Sequence, residues 1–155
     1  MLGVKCRVSD AGSNQELSFL PFGRLEINSF AFKGDPNMKS FRELRVWQAA
    51  MNLVERVYLL TRKFPKQETY ALANQIQRAA VSIPSNIAEG HTREHSKEYL
   101  HHLSMAQASL AELETQLEIS MRLKYLLPQQ LIPVTTDINS LGRQLYALRN
   151  SLTRS

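Results

Sequence analysis

The chain has 155 residues, 43% hydrophobic and 21% charged, which suits one globular domain and excludes wholesale disorder. Its lone cysteine, Cys6, excludes an intrachain disulfide and a paired-cysteine metal knuckle. The formal net charge is +5 at pH 7, and residues 1–37 hold four bases and four acids, so the whole excess falls on residues 38–155. That balance suits an anionic partner such as nucleic acid or acidic protein. No apolar run is long enough to span a membrane. Lys5, Arg7, Asp10 and Glu16 break up the apolar block that a secretion signal needs. The expectation is a soluble protein of the reducing cytoplasm.

Residues 1–37 carry four of the six glycines and four of the six phenylalanines, with no sustained helical period. They are expected to form a poorly ordered or non-native extension, with Met38 opening the folded domain of residues 38–155. Ser40 followed by Glu43 has the spacing of a capping box and predicts a helix from Phe41 to Pro65. That helix carries two adjacent apolar stripes. One is Leu44, Trp47, Met51, Val54 and Tyr58; the other is Val46, Ala50, Leu53, Val57, Leu60 and Phe64. Such a wide apolar face exceeds what one bundle buries and predicts self-association.

A second helix is expected from Lys66, with Tyr70, Ala73, Ile76, Ala80, Ile83 and Ile87 inward. Pro84 should kink it, and Gly90 should sit past its end. The third and longest helix is expected from Glu94 or Ser96 to Leu126. The fourth should start near Pro133, with Val134, Ile138, Leu141, Leu145, Leu148 and Leu152 inward. Short connections and little strand signal predict an all-α fold, an antiparallel up-down four-helix bundle.

Four stretches add what periodicity lacks: FRELRVWQAA from Phe41, FPKQETYAL from Phe64, QIQRAAVSIPSNIAEG from Gln75, and ELETQLEIS from Glu112. Over about residues 41–127 the chain resembles the bacterial four-helix-bundle family first described as 23S ribosomal RNA intervening-sequence proteins. Ala108 stands where that family commonly has glycine. The resemblance implies a fold and an assembly more than an activity. Members are similar to the accessory variability proteins of diversity-generating retroelements, barrel-shaped homopentamers with basic surfaces that bind nucleic acid and a reverse transcriptase. It implies no catalytic residues. Arg78, Ser82, Pro84, Ser85, Asn86, Glu89, Gly90 and Glu114 are this chain's residues in the family motif region.

His91-Thr92-Arg93-Glu94-His95 spells the HxxEH pattern of inverted zinc proteases. Too little chain follows it to supply a further ligand and a substrate cleft, so it is expected to be a solvated interhelix turn. His91 and His95, four residues apart, face one way if they share a helix and then suit adventitious metal. His101 and His102 are expected on the surface. Arg78 is read either as an RNA contact or as the partner of Glu89 or Glu114, from this chain or a neighbouring subunit. Ser82, Ser85 and Asn86 suit backbone groups freed at Pro84.

No Ser-His-Asp order, glycine-rich phosphate loop or paired carboxylates appear, so no catalysis, cofactor or resident metal is expected. The candidate phosphate contacts are Arg56, Arg62, Lys63 and Lys66 toward the end of the first helix, and Arg93 and Lys97 near the start of the third. Two classes of function remain open. One is an oligomeric, non-catalytic adaptor for nucleic acid, RNA before DNA. The other is a protein-interaction scaffold with incidental basic charge.

Overall fold

Four α-helices carry the fold: α1 (Arg45–Thr61), α2 (Leu72–His91), α3 (Ser96–Arg122) and α4 (Pro128–Thr153). The computed structural model describes residues 40–68 and 71–153, and among these there is no strand. The expected N-terminal extension with Cys6, and Tyr70 in the second helix, lie outside the described residues. No helix of the described residues is long and apolar enough to cross a membrane.

The helices pack in a cycle. α2 lies against α1 and α3, and α4 against α3 and α1, with the α2–α3 contact the most extensive. Of the two stripes on α1, the one containing Val46, Ala50, Leu53, Val57 and Leu60 faces the core. It meets Ile76, Ala80, Ile83 and Ile87 from α2, Leu103, Ala106 and Leu113 from α3, and Ile138, Leu141 and Leu145 from α4. Removing a side chain of this size from water contributes about 1.5–3 kcal/mol. The other stripe stays at the surface. Leu44, Trp47 and Val54 are half-buried, while Met51 and Tyr58 are exposed.

Helix ends differ most from the sequence expectation. Ser40 does accept the Arg42 N–H through its hydroxyl, but it caps a short 3-10 turn, Phe41–Glu43, and α1 starts only after the extended residue Leu44. α1 ends at Thr61 rather than at Pro65. There the Lys63 and Phe64 amides bond three residues back, and the tightened turn buries the Phe64 ring. Lys66–Glu68 is a 3-10 turn instead of the first turn of α2. α2 runs helically through Pro84. Ser85 Oγ donates to the Val81 carbonyl, and Asn86 Nδ2 donates to that of Ser82. Neither bond goes to the Ala80 carbonyl, the one that Pro84, lacking an N–H, leaves without its helical partner, so the expected compensation at the proline is not what these two side chains do.

α3 stops four residues before the expected Leu126. The Tyr125 amide reaches the Ser120 carbonyl at 3.0 Å and the Lys124 amide reaches Met121 at 2.9 Å, a Schellman ending. Lys124 occupies the left-handed position, with φ 61°. α4 begins at Pro128 rather than near Pro133. Proline at the first helical position lacks only an amide that would be unpaired there, and Gln130 Oε1 accepts the Leu127 N–H at 2.8 Å. Pro133 lies inside the helix.

Gly90 is the penultimate residue of α2, not a cap beyond it, and its φ is not positive. Its role is close packing: a Cβ there would stand 2.7 Å from both His102 Cβ and Tyr99 Cδ2 of α3. Gly90→Ala should therefore lower stability by about 1–3 kcal/mol in denaturant titration. Gly142→Ala is the control, since its Cβ would meet Leu110 Cδ2 at an ordinary 3.6 Å. It should be neutral or stabilising, because alanine favours helix. Lys124→Gly should raise the melting temperature, relieving about 1 kcal/mol of left-handed backbone strain.

Candidate nucleic-acid interface

The connection from α1 to α2 is locked by short-range bonds. Thr61 Oγ1 donates to the Tyr58 carbonyl and accepts from Gln77 Nε2 of α2 at 2.8 Å. The buried Phe64 ring lies 5.9 Å from that of Tyr125, just beyond α3. Glu68 bridges the two segments. Its Oε1 accepts the Tyr125 hydroxyl at 3.0 Å, and its Oε2 accepts the Leu72 N–H at the start of α2. These contacts bring Lys124 to the same end of the molecule as Arg62, Lys63 and Lys66. All four are exposed, and none has an ion pair among the described residues.

This end is strongly basic. Residues 62–68 hold three bases and one acid, and residues 122–127 add two bases and no acid. Arg122 is tied to Glu118 at 2.7 Å, so Lys124 is the free charge that sequence reading missed. The lysine is 56 residues from Glu68 in the chain, and the contacts of Tyr125 with Glu68 and Phe64 bring the two segments together. A lysine–tyrosine pair at the end of a long amphipathic helix carries no local signal of that approach.

The other candidate bases are less free. Arg56 pairs across α1 and α4 with Asp137 at 2.8 Å. Arg93 pairs with Glu89 at 2.7 Å. Lys97 is exposed in the first turn of α3, beside Glu98. Within the chain neither Glu89 nor Glu114 takes Arg78. It is exposed on a polar hollow with Gln75, Ser82 and Glu112, and has no ion pair among the described residues. Glu114 lines a separate hollow between α3 and α4 with Asn139 and Arg143. Ser82 links the helices, accepting from Asn86 Nδ2 and from Ser109 Oγ of α3, each at 3.0 Å.

The HxxEH segment spans the turn between α2 and α3. His91 ends α2, His95 is the extended N-cap of α3, and the turn between them separates their imidazoles from any common helix face. No group of three metal-ligating side chains occurs among the described residues. His102 is mostly buried, in contrast to the surface position expected for it, because α3 approaches α2 closely at Gly90. Nearby, the Tyr99 hydroxyl is buried without a partner, and burial pushes its phenol above the ordinary tyrosine value.

The surface stripe of α1 meets α2 in an apolar hollow of about 280 Å³, walled by Trp47, Met51 and Val54 on one side and Val81, Pro84 and Ala88 on the other. Phe41 closes one end, edge-on to Trp47 at 5.4 Å, with the Arg42 guanidinium 4.7 Å above its ring.

The Glu68–Tyr125 contact has a titration signature. The hydrogen bond to Glu68 does most to raise the Tyr125 phenol above its ordinary value, helped by burial and by the carboxylate charge. The bond exists only while the phenol is protonated. Its contribution is therefore present below the ordinary tyrosine range and is lost as pH rises through the raised value. Ultraviolet titration should show Tyr125 ionising late, and Glu68→Gln should move it back toward the ordinary value.

Comparison with known proteins supplies the family. No curated protein matches the sequence. The chain is similar in structure to a protein of unknown function from the S23 ribosomal protein family of Bacteroides thetaiotaomicron, with TM-score 0.63 and 21% identity. The match covers 68% of this chain and 95% of that one, and at this identity it shows a shared fold. The description of the 23S rRNA-intervening sequence proteins matches residues 42–147, more than half of the sequence, and the chain belongs to that family.

Proposed function

We propose that this protein is a non-catalytic, homo-oligomeric adaptor that binds nucleic acid through its basic end. In this reading the four helices run up and down antiparallel, with α2 bent at Pro84. Contacts such as Glu68 with Tyr125, and Gly90 with Tyr99, support the antiparallel order of α2 and α3. The observation that carries the proposal is the gathering of unpaired Arg62, Lys63, Lys66 and Lys124 from two connections at one end. Repeated around an oligomer, that end gives a phosphate backbone several contacts at once. The family's description names a 23S rRNA intervening sequence, so structured RNA is the first ligand to test. The rings beside these bases are engaged in the fold, Phe64 buried and Tyr125 bonded to Glu68, which favours sequence-tolerant backbone contact over base stacking.

A second reading, a protein scaffold, draws on the apolar hollow between α1 and α2. Uncovered apolar surface of this kind marks interfaces. It serves equally as the contact between copies in the first reading.

Fluorescence anisotropy with a structured RNA separates the two. Binding should weaken steeply between about 50 and 200 mM salt. Replacing Arg62, Lys63, Lys66 and Lys124 by Ala should reduce the slope of log affinity against log salt by up to about 0.9 for each phosphate no longer neutralised, with helicity retained. Light scattering on the same sample should give a multiple of the 17.7 kDa chain mass. No binding by the oligomer at low salt would leave the scaffold reading in its place.

A further inference from the structure

Exposed apolar side chains are unevenly spread over the described residues. The large aliphatic ones that are more than half exposed are Leu59 at 58%, Leu123 at 52%, Leu127 at 63% and Ile132 at 63%. Leu59 lies in the last turn of α1, Leu123 and Leu127 bound the connection from α3 to α4, and Ile132 opens the second turn of α4. All four belong to the end of the bundle that carries Arg62, Lys63, Lys66 and Lys124. The Arg56–Asp137 pair at 2.8 Å sets α1 against α4, and Leu59 and Ile132 both lie on the connection side of it. The contacts of Tyr125 with Phe64 and Glu68 hold the two connections together. We infer that this end is a docking surface for an anionic lipid bilayer, on which the protein lies without a helix that spans it. A nucleic-acid backbone uses the bases of this end and gives its leucines no role; a bilayer surface uses both.

Single exposed aliphatic residues are ordinary, but several gathered beside free charge mark a contact surface. Composition decides the partner. Lysine is depleted at protein–protein interfaces, and leucine is under-represented among the residues that carry their binding energy. Leucine beside lysine and arginine is instead the pattern of faces that lie in the headgroup region of a membrane. There the aliphatic tips enter the acyl boundary, and the long basic side chains reach the lipid phosphates.

The sign of the charge agrees. Arg62, Lys63, Lys66 and Lys124 make no ion pair among the described residues, while Glu118 and Asp137 are already taken by Arg122 and Arg56. Glu68 is turned to the fold, bonded to the Tyr125 hydroxyl and the Leu72 N–H. Each free base close to an anionic leaflet strengthens binding by about fivefold. Because bases and leucines are exposed at one end, a flat surface can meet them together.

The test is co-sedimentation of the full chain with vesicles of mixed phosphatidylglycerol and phosphatidylcholine, and with vesicles of phosphatidylcholine alone. Leu59→Gln/Leu123→Gln/Ile132→Gln leaves the bases in place, and Lys63→Ala/Lys66→Ala leaves the leucines. Tyr146→Gln, which removes an exposed ring well along α4 from this end, is the control. Circular dichroism confirms the fold of each; should the triple variant not fold, Ile132→Gln alone carries the same test with a smaller loss. The parent should bind the mixed vesicles about tenfold more tightly than the neutral ones. The leucine and lysine variants should each lose about tenfold on the mixed vesicles, and Tyr146→Gln should match the parent. No binding to the mixed vesicles overturns the bilayer surface, whatever an RNA titration gives. A loss confined to the lysine variant also overturns it, leaving only a charge that suits any polyanion. A leucine variant whose mass by light scattering falls to that of one chain places these side chains between copies and overturns it too. Lost vesicle binding beside unchanged RNA anisotropy in the leucine variant supports the bilayer surface and leaves the nucleic-acid reading standing. Leucine-dependent vesicle binding by a protein that binds no RNA supports the bilayer surface and overturns the nucleic-acid reading.

Discussion

The approach of α3 to α2 is the constraint on which the rest of the molecule depends. It requires a residue without a side chain at Gly90, where Tyr99 and His102 occupy the space a Cβ would take. The contact continues along α2 at Ser82, which accepts a hydrogen bond from Ser109 of α3. Close-packed interiors transmit such a fit over several turns. At the far end of the same pair, Glu68 and Tyr125 close the contact and fix where the basic connections project. The α2–α3 turn and the basic end are thus two ends of one interface.

Much of this fold was legible in the sequence because helical periodicity is a local property. The inward residues of α4, and the paired stripes of α1, follow directly from spacing. Which α1 stripe faces the core did not follow. Both are apolar, and the choice depends on α2 and α4 packing beside Val46, Ala50 and Leu53. Helix ends were misplaced for a related reason. Ser40 has the right chemistry for a cap, yet Leu44 is extended, so the cap serves a separate short turn. Pro128 and Pro133 both suit a first helical turn, and the Gln130 bond to the Leu127 amide falls at the former.

The candidate site was less legible, because charge availability is a tertiary property. Arg56 and Lys63 look alike in the sequence, but Asp137 from α4 takes the first, and no acid among the described residues pairs with the second. Arg93 is likewise engaged, by Glu89 four residues earlier, a spacing visible in the sequence and a fair warning. Lys124 joins the basic end only because Tyr125 folds back onto Glu68. The histidine cluster was fully visible as a run of letters. Its geometry was not, because α2 ends at His91 and α3 starts only after His95, so the two do not share a helix face.

The left-handed lysine after α3 sets two selective pressures against each other. Its backbone conformation suits glycine, while its side chain adds a free positive charge where the helix ends near two other basic turns. A directed-evolution campaign scored only on heat resistance should therefore discard this lysine early, and a campaign scored on polyanion capture should keep it. Among natural relatives, the residue at this one position would report which of the two demands has governed each lineage.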